Sequence, residues 1–382
     1  MQVGYQRMTI NAVAGDIKNL IKDGRLADAG QAAYQAAVTG RADGDTLGLG
    51  AAAAYQAGAD GLALELFSRL DAQRALDAGQ WAMMGHAAER LGVSRIALPA
   101  YHRSLDLEPG DAAVHYNLGS LQLRRHQWTE AITHLRVACD ARPDWQPAWE
   151  NLAQALVGTE HYETVVPFLA DCMARFPDNL VFAFQHAAAL LHMGDRSGAE
   201  AAYRDLTARL PDNAVAWAGL AAAIIQDGRK DAAAALIADA AAKGARSHDL
   251  DEMAATLKLD AGDADAATAS YEAILAAKPD HRLARVNLID ALVQAGDHKR
   301  ALKVCDDRLA AVPGDPEMLA YRAIVMTDMG QAAEAEAFLP PSLIMGHRPL
   351  APDGFASLAD FNKAMVRHIL DHPSLVPSPP SH

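Results

Sequence analysis

The sequence predicts an all-α solenoid of about ten stacked helix-turn-helix units, because three positions recur in one phase along the chain. Stepping by 34 residues from Ala131 lands on Ala29, Ala63, Ala97, Ala131, Val165, Ala199, Ala233, Ala267, Ala301 and Ala335. The same step from Gly194 lands on Gly24, Gly58, Gly92, His126, Glu160, Gly194, Gly228, Gly262, Gly296 and Gly330. From Pro143 it lands on Pro109, Pro143, Pro177, Pro211, Pro279 and Pro313, passing over Ala245. A fixed period of this length marks a repeat architecture, in which each unit buries its apolar face only against its neighbours.

Each recurring position has a physical role. The glycine falls where the first helix of a unit must end, and a left-handed residue closes a helix there without a Cβ clash. The alanine lies in the second helix, where a small side chain lets two helix backbones approach. Four residues further on, a large apolar residue fills the space beside that contact: Phe67, Tyr101, Leu135, Leu169, Tyr203, Ile237, Tyr271 and Leu339. The proline ends the second helix, because it cannot continue the hydrogen-bond ladder. The clearest unit is Ala112–Trp145, which reads as two amphipathic helices joined by a short turn.

On the first helices, Trp81-Met84-Gly85, Trp149-Leu152-Ala153 and Trp217-Leu220-Ala221 repeat one spacing. Together with the alanine and proline positions, that set resembles the tetratricopeptide repeat, whose pattern is W-x2-L-G-x2-Y, then A-x3-F, then P. The resemblance covers about residues 10–349 and implies a right-handed superhelix whose first helices line a concave groove.

Taken in order, residues 1–9 have no repeat phase and are expected to be a frayed lead-in. Units are expected to open near residues 10, 44, 78, 112, 146, 180, 214, 248, 282 and 316. The first two lack the aromatic residue and the proline, which predicts a looser N-terminal cap. Where the proline is missing at Ala245, the second helix should end at Gly244 instead, with a small change of superhelix angle. Pro340-Pro341 should cut short the second helix of the last unit. Beyond 349, a capping box at Ser357–Asp360 and an apolar stripe of Leu358, Phe361, Met365 and Ile369 predict a C-terminal helix over 350–372. Residues 373–382 form a proline-rich tail.

Composition bounds the function. The formal net charge of −14 disfavours nonspecific nucleic-acid binding, which needs a basic face. The longest apolar run, Ala214–Ile225, fits one buried helix and not a membrane span. Three cysteines, Cys139, Cys172 and Cys305, sit on second helices without metal-ligand spacing and read as buried reduced thiols of a cytoplasmic protein. Asp16, Lys18, Lys22 and Asp23 interrupt the first apolar stretch, so the N-terminus does not read as a signal peptide. Histidines number 15 but form no H-E-x-x-H, and no G-x-S-x-G or phosphate-cradling loop is present, so no catalytic residue, metal or resident cofactor is expected.

The groove implied by the resemblance places the sixth residue of each first helix where a ligand would lie: Asn117, Asn151, Gln185, Gly219, Met253 and Asn287. A carboxamide carries both a donor and an acceptor, so successive ones could pair with the backbone of an extended peptide without reading its side chains. This resembles the asparagine ladder in the repeat arm of O-linked N-acetylglucosamine transferases. The same residues could equally brace local backbone, and the sequence leaves both readings open. Nearby lie Tyr116 and Phe184 as apolar platforms and His86, Arg90 and Arg124 as a basic group, with Glu89 a candidate partner for the arginines. Asp249, Glu252, Asp260, Asp290 and Asp328 make the later groove acidic, which predicts a ligand acidic at one end and basic at the other. The lysines of the family's carboxylate clamp are missing.

The leading expectation is therefore a scaffold that binds an extended peptide or partner protein. Self-assembly, as a homodimer for instance, is a further expectation for solenoid faces. A second resemblance opens another: SLADFNKAMVRHILDHPSL, residues 357–375, looks like the segment preceding the catalytic domain in bacterial proteins that join tetratricopeptide repeats to a 2-oxoglutarate/Fe(II) oxygenase. It implies a substrate-recruiting arm, with Fe(II) and 2-oxoglutarate held by a domain beyond His382. The H-x-E at His161-Tyr162-Glu163 falls in an inter-helix turn and reads as surface.

Overall fold

The computed structural model describes residues 2–338, with side chains from residue 12 onward. The C-terminal helix expected over 350–372, the proline-rich tail, Pro340-Pro341 and the oxygenase-like run 357–375 all lie outside the described residues. Among the described residues there are twenty helices and no strand. They group into two compact units divided between Arg229 and Lys230.

In the first unit the helices are α1 (Gln2–Lys22), α2 (Leu26–Val38), α3 (Gly44–Gln56), α4 (Asp60–Asp71), α5 (Ala78–Arg90), α6 (Ser94–Leu107) and α7 (Ala112–Arg124). They continue as α8 (Trp128–Ala141), α9 (Gln146–Val157), α10 (Tyr162–Arg175), α11 (Leu180–Met193), α12 (Arg196–Arg209) and α13 (Ala214–Gln226). The second unit holds α14 (Lys230–Ala242), α15 (His248–Asp260), α16 (Ala264–Ala277), α17 (Arg282–Gln294), α18 (His298–Ala311), α19 (Pro316–Asp328) and α20 (Ala332–Phe338). Odd-numbered helices are the first helices of their pairs. Residues 2–9 are helical and continuous with α1, so the lead-in is part of the first helix. Nothing in that stretch breaks a helix: it holds no proline and one glycine.

Helix ends obey local chemistry. All ten residues in the glycine phase have positive φ, including the two that are not glycine, His126 and Glu160, each at φ 58°. Six second helices have as their C-cap the residue just before a proline: Glu108, Arg142, Phe176, Leu210, Lys278 and Val312. Those residues share φ between −128° and −137° and ψ between 69° and 86°. A proline ring forbids the α conformation to its predecessor, which accounts for that uniformity. Where proline is missing, glycine serves instead: α14 stops at Ala242 and Gly244 takes φ 87°. First helices begin on a side-chain cap: Asp43, Asp77, Asp111, Asn179, Asn213, Ser247, His281 and Asp315 each accept a backbone N–H of the first turn.

Packing follows the small residues. Eight of the periodic alanines and Val165 are completely buried. A Cβ added at Gly85 would lie 2.7 Å from the Tyr101 ring, and one at Gly119 would lie 2.7 Å from Leu135 Cγ. The first two repeats pack closely and are not the looser cap expected from their missing aromatic. A Cβ at Gly50 would sit 2.1 Å from Ala33 Cβ, and one at Gly30 would sit 2.9 Å from Ala54 Cβ. Glycine and alanine on facing surfaces let these backbones meet without a large side chain between them.

Cys139, Cys172 and Cys305 are free and buried. Burial pushes their thiols up to about 12, 12 and 11. Another polar insertion lies in the fourth repeat. Buried His115 uses Nε2–H to reach the Pro109 carbonyl at 2.9 Å, so its Nδ1 is an acceptor and takes a hydrogen from His134 Nδ1, also at 2.9 Å. The His102 ring lies 6.1 Å from that of His134. Burial, then the neighbouring His115 and His102, hold His134 down to about 4.

Three outcomes follow from these local arrangements. Glu160→Gly should stabilise by about 0.5–1 kcal/mol, since an L-residue in the left-handed region costs roughly 1–2 kcal/mol and glycine returns part of that as backbone entropy. Gly194→Ala should destabilise; urea midpoints check both. Because His134 titrates near 4 in the fold and near 6.5 unfolded, the unfolded chain binds the extra proton. Stability should fall as pH drops from about 6.5 to 4, and His134→Gln should flatten that slope. All three thiols should resist iodoacetamide in the native protein and react once it is unfolded.

Candidate functional site

Each first helix leaves one stripe open, and its spacing is set by the packing of the other faces. In α11 the open residues include Val181, Phe184, Gln185, Ala188 and His192, at i, i+3, i+4, i+7 and i+11 on one helix face. The same register in α13 holds Val215, Ala218, Gly219, Ala222 and Gln226. In α9 it holds Pro147, Glu150, Asn151 and Gln154; in α7, Ala113, Tyr116, Asn117 and Arg124; in α5, Ala82, Met83, His86 and Arg90. Within the first unit, α3, α5, α7, α9 and α11 each touch the next first helix, so these stripes lie side by side as far as α13. The structure therefore brings His86, Arg90, Tyr116, Asn117, Arg124, Asn151, Phe184 and Gln185 onto one row of helix faces. Asn287 occupies the same register on α17 of the second unit, beside exposed Leu283 and half-buried Asp290.

The basic group is spent inside the fold. Arg90 pairs with Asp60, donates to the Tyr55 carbonyl at 3.1 Å and lies 4.9 Å over the Tyr55 ring. His86 Nδ1 meets the Tyr55 hydroxyl at 2.7 Å. Arg124 pairs with Glu89, which also accepts the Tyr101 hydroxyl at 2.6 Å. Burial and the Glu89 carboxylate push the Tyr101 hydroxyl far up, so it stays a donor. Each arginine meets a carboxylate of the preceding repeat, which staples neighbours and leaves little free positive charge. Tyr116 lies 4.4 Å from the Trp145 ring, which Arg142 covers at 4.1 Å.

The carboxamides divide. Asn151 Nδ2 donates to Ser120 Oγ of the preceding repeat at 2.8 Å, which fixes its amide and leaves its carbonyl oxygen without a donor. Gln185 Oε1 is buried and has no hydrogen-bond partner. Asn117 makes no hydrogen bond among the described residues. Asn287 instead serves the Tyr271 hydroxyl, which also meets Thr256 at 2.9 Å. The break at Gly219 has a steric cause: a Cβ there would lie 2.2 Å from the Tyr203 ring, so no carboxamide fits while that ring is in place. Bracing thus accounts for Asn287 and half of Asn151, and leaves the amide oxygens of Asn117, Asn151 and Gln185, on three successive first helices, without a donor, that of Gln185 being buried.

The acidic residues of the second unit are mostly paired. Asp260 meets Lys230 at 2.7 Å, Asp328 meets His298 at 2.8 Å and Glu252 lies 3.5 Å from His281. Asp290 has no partner among the described residues, and burial raises its pKa. A cavity of about 530 Å³ between α14 and α15 is lined by Ile237, Leu257 and Ala241 and holds only Asp260 of the expected residues. Among the described residues, no group of three or more His, Cys, Asp or Glu is placed to hold a metal ion, and no helix is long and apolar enough to cross a membrane.

Comparison with known proteins places the architecture. Tetratricopeptide repeat models match residues 82–144, 184–248 and 258–323, together about half of the chain. A tetratricopeptide repeat protein from Parabacteroides merdae is 14% identical with a TM-score of 0.43, over 75% of this chain and 99% of its own. The C-terminal part of a repeat-containing protein from Cytophaga hutchinsonii is 16% identical with a TM-score of 0.43, over 72% of this chain and 99% of its own. YrrB, described as a repeat protein with an unusual peptide-binding site, is 19% identical with a TM-score of 0.42, over 49% of this chain and 96% of its own. Comparison with curated proteins gives no match. With three matched segments and stacked helix pairs throughout the described residues, the chain belongs to the tetratricopeptide repeat proteins.

Proposed function

We propose that this protein is a binding scaffold whose first unit takes an extended peptide across α7, α9 and α11, through Asn117, Asn151 and Gln185. The observation that carries the reading is the buried, unpartnered Oε1 of Gln185. A buried acceptor without a donor costs about 1–3 kcal/mol, and a fold that needed nothing there would be better served by an apolar side chain. Gln185 as a whole is only half-buried, so a turn of its side chain would bring that oxygen to a peptide N–H, which would satisfy it. Asn151, held by Ser120, presents its carbonyl oxygen in the same register one repeat earlier, and Asn117 adds a third carboxamide. Binding of this kind reads backbone and is tolerant of sequence; it needs no cofactor and no covalent step within these residues.

The reading separates from simple bracing by the sign of a stability change. Gln185→Met should raise stability by about 1 kcal/mol while weakening peptide affinity by roughly three- to tenfold, the worth of one hydrogen bond. Asn151→Ala should lose both, since it also breaks the bond to Ser120. The probe is a dodecapeptide selected from a random phage-displayed library on the immobilised full chain, with affinity followed by fluorescence anisotropy and stability by urea midpoints. If Gln185→Met destabilises and leaves affinity unchanged, the residue is a brace and the proposal falls.

A further inference from the structure

We infer that the bound peptide carries an uncharged segment with aliphatic side chains three residues apart, and that this segment lies across α11 and α13. The inference rests on the peptide-binding reading and names the ligand class. Neither Leu180–Met193 nor Ala214–Gln226 contains an Asp, Glu, Lys or Arg, although charged residues make up 21% of the chain. The open stripes of these two helices carry Val181 and Val215, one period apart and 45% and 66% exposed. Phe184, Ala188, Ala218 and Ala222 complete the same faces; half-buried Gln185 stands among them with its Oε1 buried and unpartnered, and exposed Gln226 stands at the far end of the α13 stripe.

A single exposed valine on a protein surface means little. Two in register on touching helices, on faces that hold no Asp, Glu, Lys or Arg, form a largely apolar strip with His192 and Gln226 at its far end. Charge matching decides the occupant. A charged side chain laid on this strip would lose its water and gain no counter-charge, because neither helix offers one. An apolar side chain loses nothing there, and the peptide N–H between such side chains meets Gln185. Spacing points the same way. Packed helices lie about 8–10 Å apart, and an extended polyproline-like chain rises about 3.1 Å per residue with three residues per turn. Every third side chain then returns to the same face after roughly 9 Å, one repeat further along.

Selection from the random dodecapeptide library on the full chain tests this. Enriched peptides should share an uncharged run with Val, Ile or Leu three residues apart. Val215→Asp should weaken the best of them at least tenfold, and Val181→Ser severalfold, with urea midpoints unchanged because both side chains are exposed. Replacing one aliphatic residue of the peptide by Lys or Glu should do the same. If peptides bind through Asn117, Asn151 and Gln185 but carry charges in the run, or ignore Val215→Asp and Val181→Ser, the inference fails and the peptide-binding reading stands. If no peptide is enriched, both fail. Sedimentation showing a concentration-dependent dimer that Val215→Asp abolishes, with no peptide bound, would assign the strip to a second copy of the chain and overturn the inference.

Discussion

The close approach of two helices at a buried alanine, repeated every 34 residues, is the constraint on which the rest of this structure depends. With a methyl at the contact in every unit but the one that holds Val165, one large residue four positions on fills the space beside it, and Tyr101 or Leu135 does so against a glycine. The turn between the helices then has to be short. One left-handed residue makes it so, strongly enough that His126 and Glu160 accept a conformation that suits glycine. Backbone strain at two repeats is the consequence of keeping one geometry at ten.

Stacking imposes a second demand, on polar groups. Helix pairs that bury their apolar faces bring long side chains from adjacent repeats into reach, and ion pairs such as Arg90–Asp60, Arg124–Glu89 and Arg282–Glu317 form between residues about one period apart. Exposed pairs contribute little stability each. Their larger effect is on the surface: they neutralise residues that would otherwise give the open stripes a charge. What remains available to a ligand is whatever the repeats have not already used on one another.

Legibility in the sequence follows from this difference. Fold class, helix ends and buried contacts were readable because each depends on one position and its own backbone. The proline phase implied the non-helical residue before it, and the glycine phase implied positive φ even where histidine and glutamate stand. A further periodic signal lies in the sequence: Asp43, Asp77, Asp111, Asn179, Asn213, Ser247, His281 and Asp315 form a capping column one residue before eight of the first helices, broken at Trp145 before α9. The candidate site was legible as a register but not as a site. Whether Asn287 faces a ligand or Tyr271, and whether Arg124 is free or held by Glu89, depends on which rotamer meets which across a helix gap. Spacing along the chain does not contain that information. The tight packing of the first two repeats was missed for a related reason: a motif can lack its aromatic and still pack closely when glycine faces alanine.

The same logic explains why an unpaired acceptor and a strip without Asp, Glu, Lys or Arg belong together. Two of the four carboxamides at the sixth position find a neighbour: Asn151 finds Ser120 and Asn287 finds Tyr271. On α13 Tyr203 occupies the place over Gly219, and Val215, Ala218 and Ala222 offer Gln185 no hydrogen-bond donor. The small apolar side chains that offer it none there also make the surface apolar. Removing the orphan would make the fold more stable, and adding a partner from α13 would cover the strip. Both changes would favour stability over an open surface, so stability and exposure of the α11 and α13 faces pull in opposite directions at this one residue.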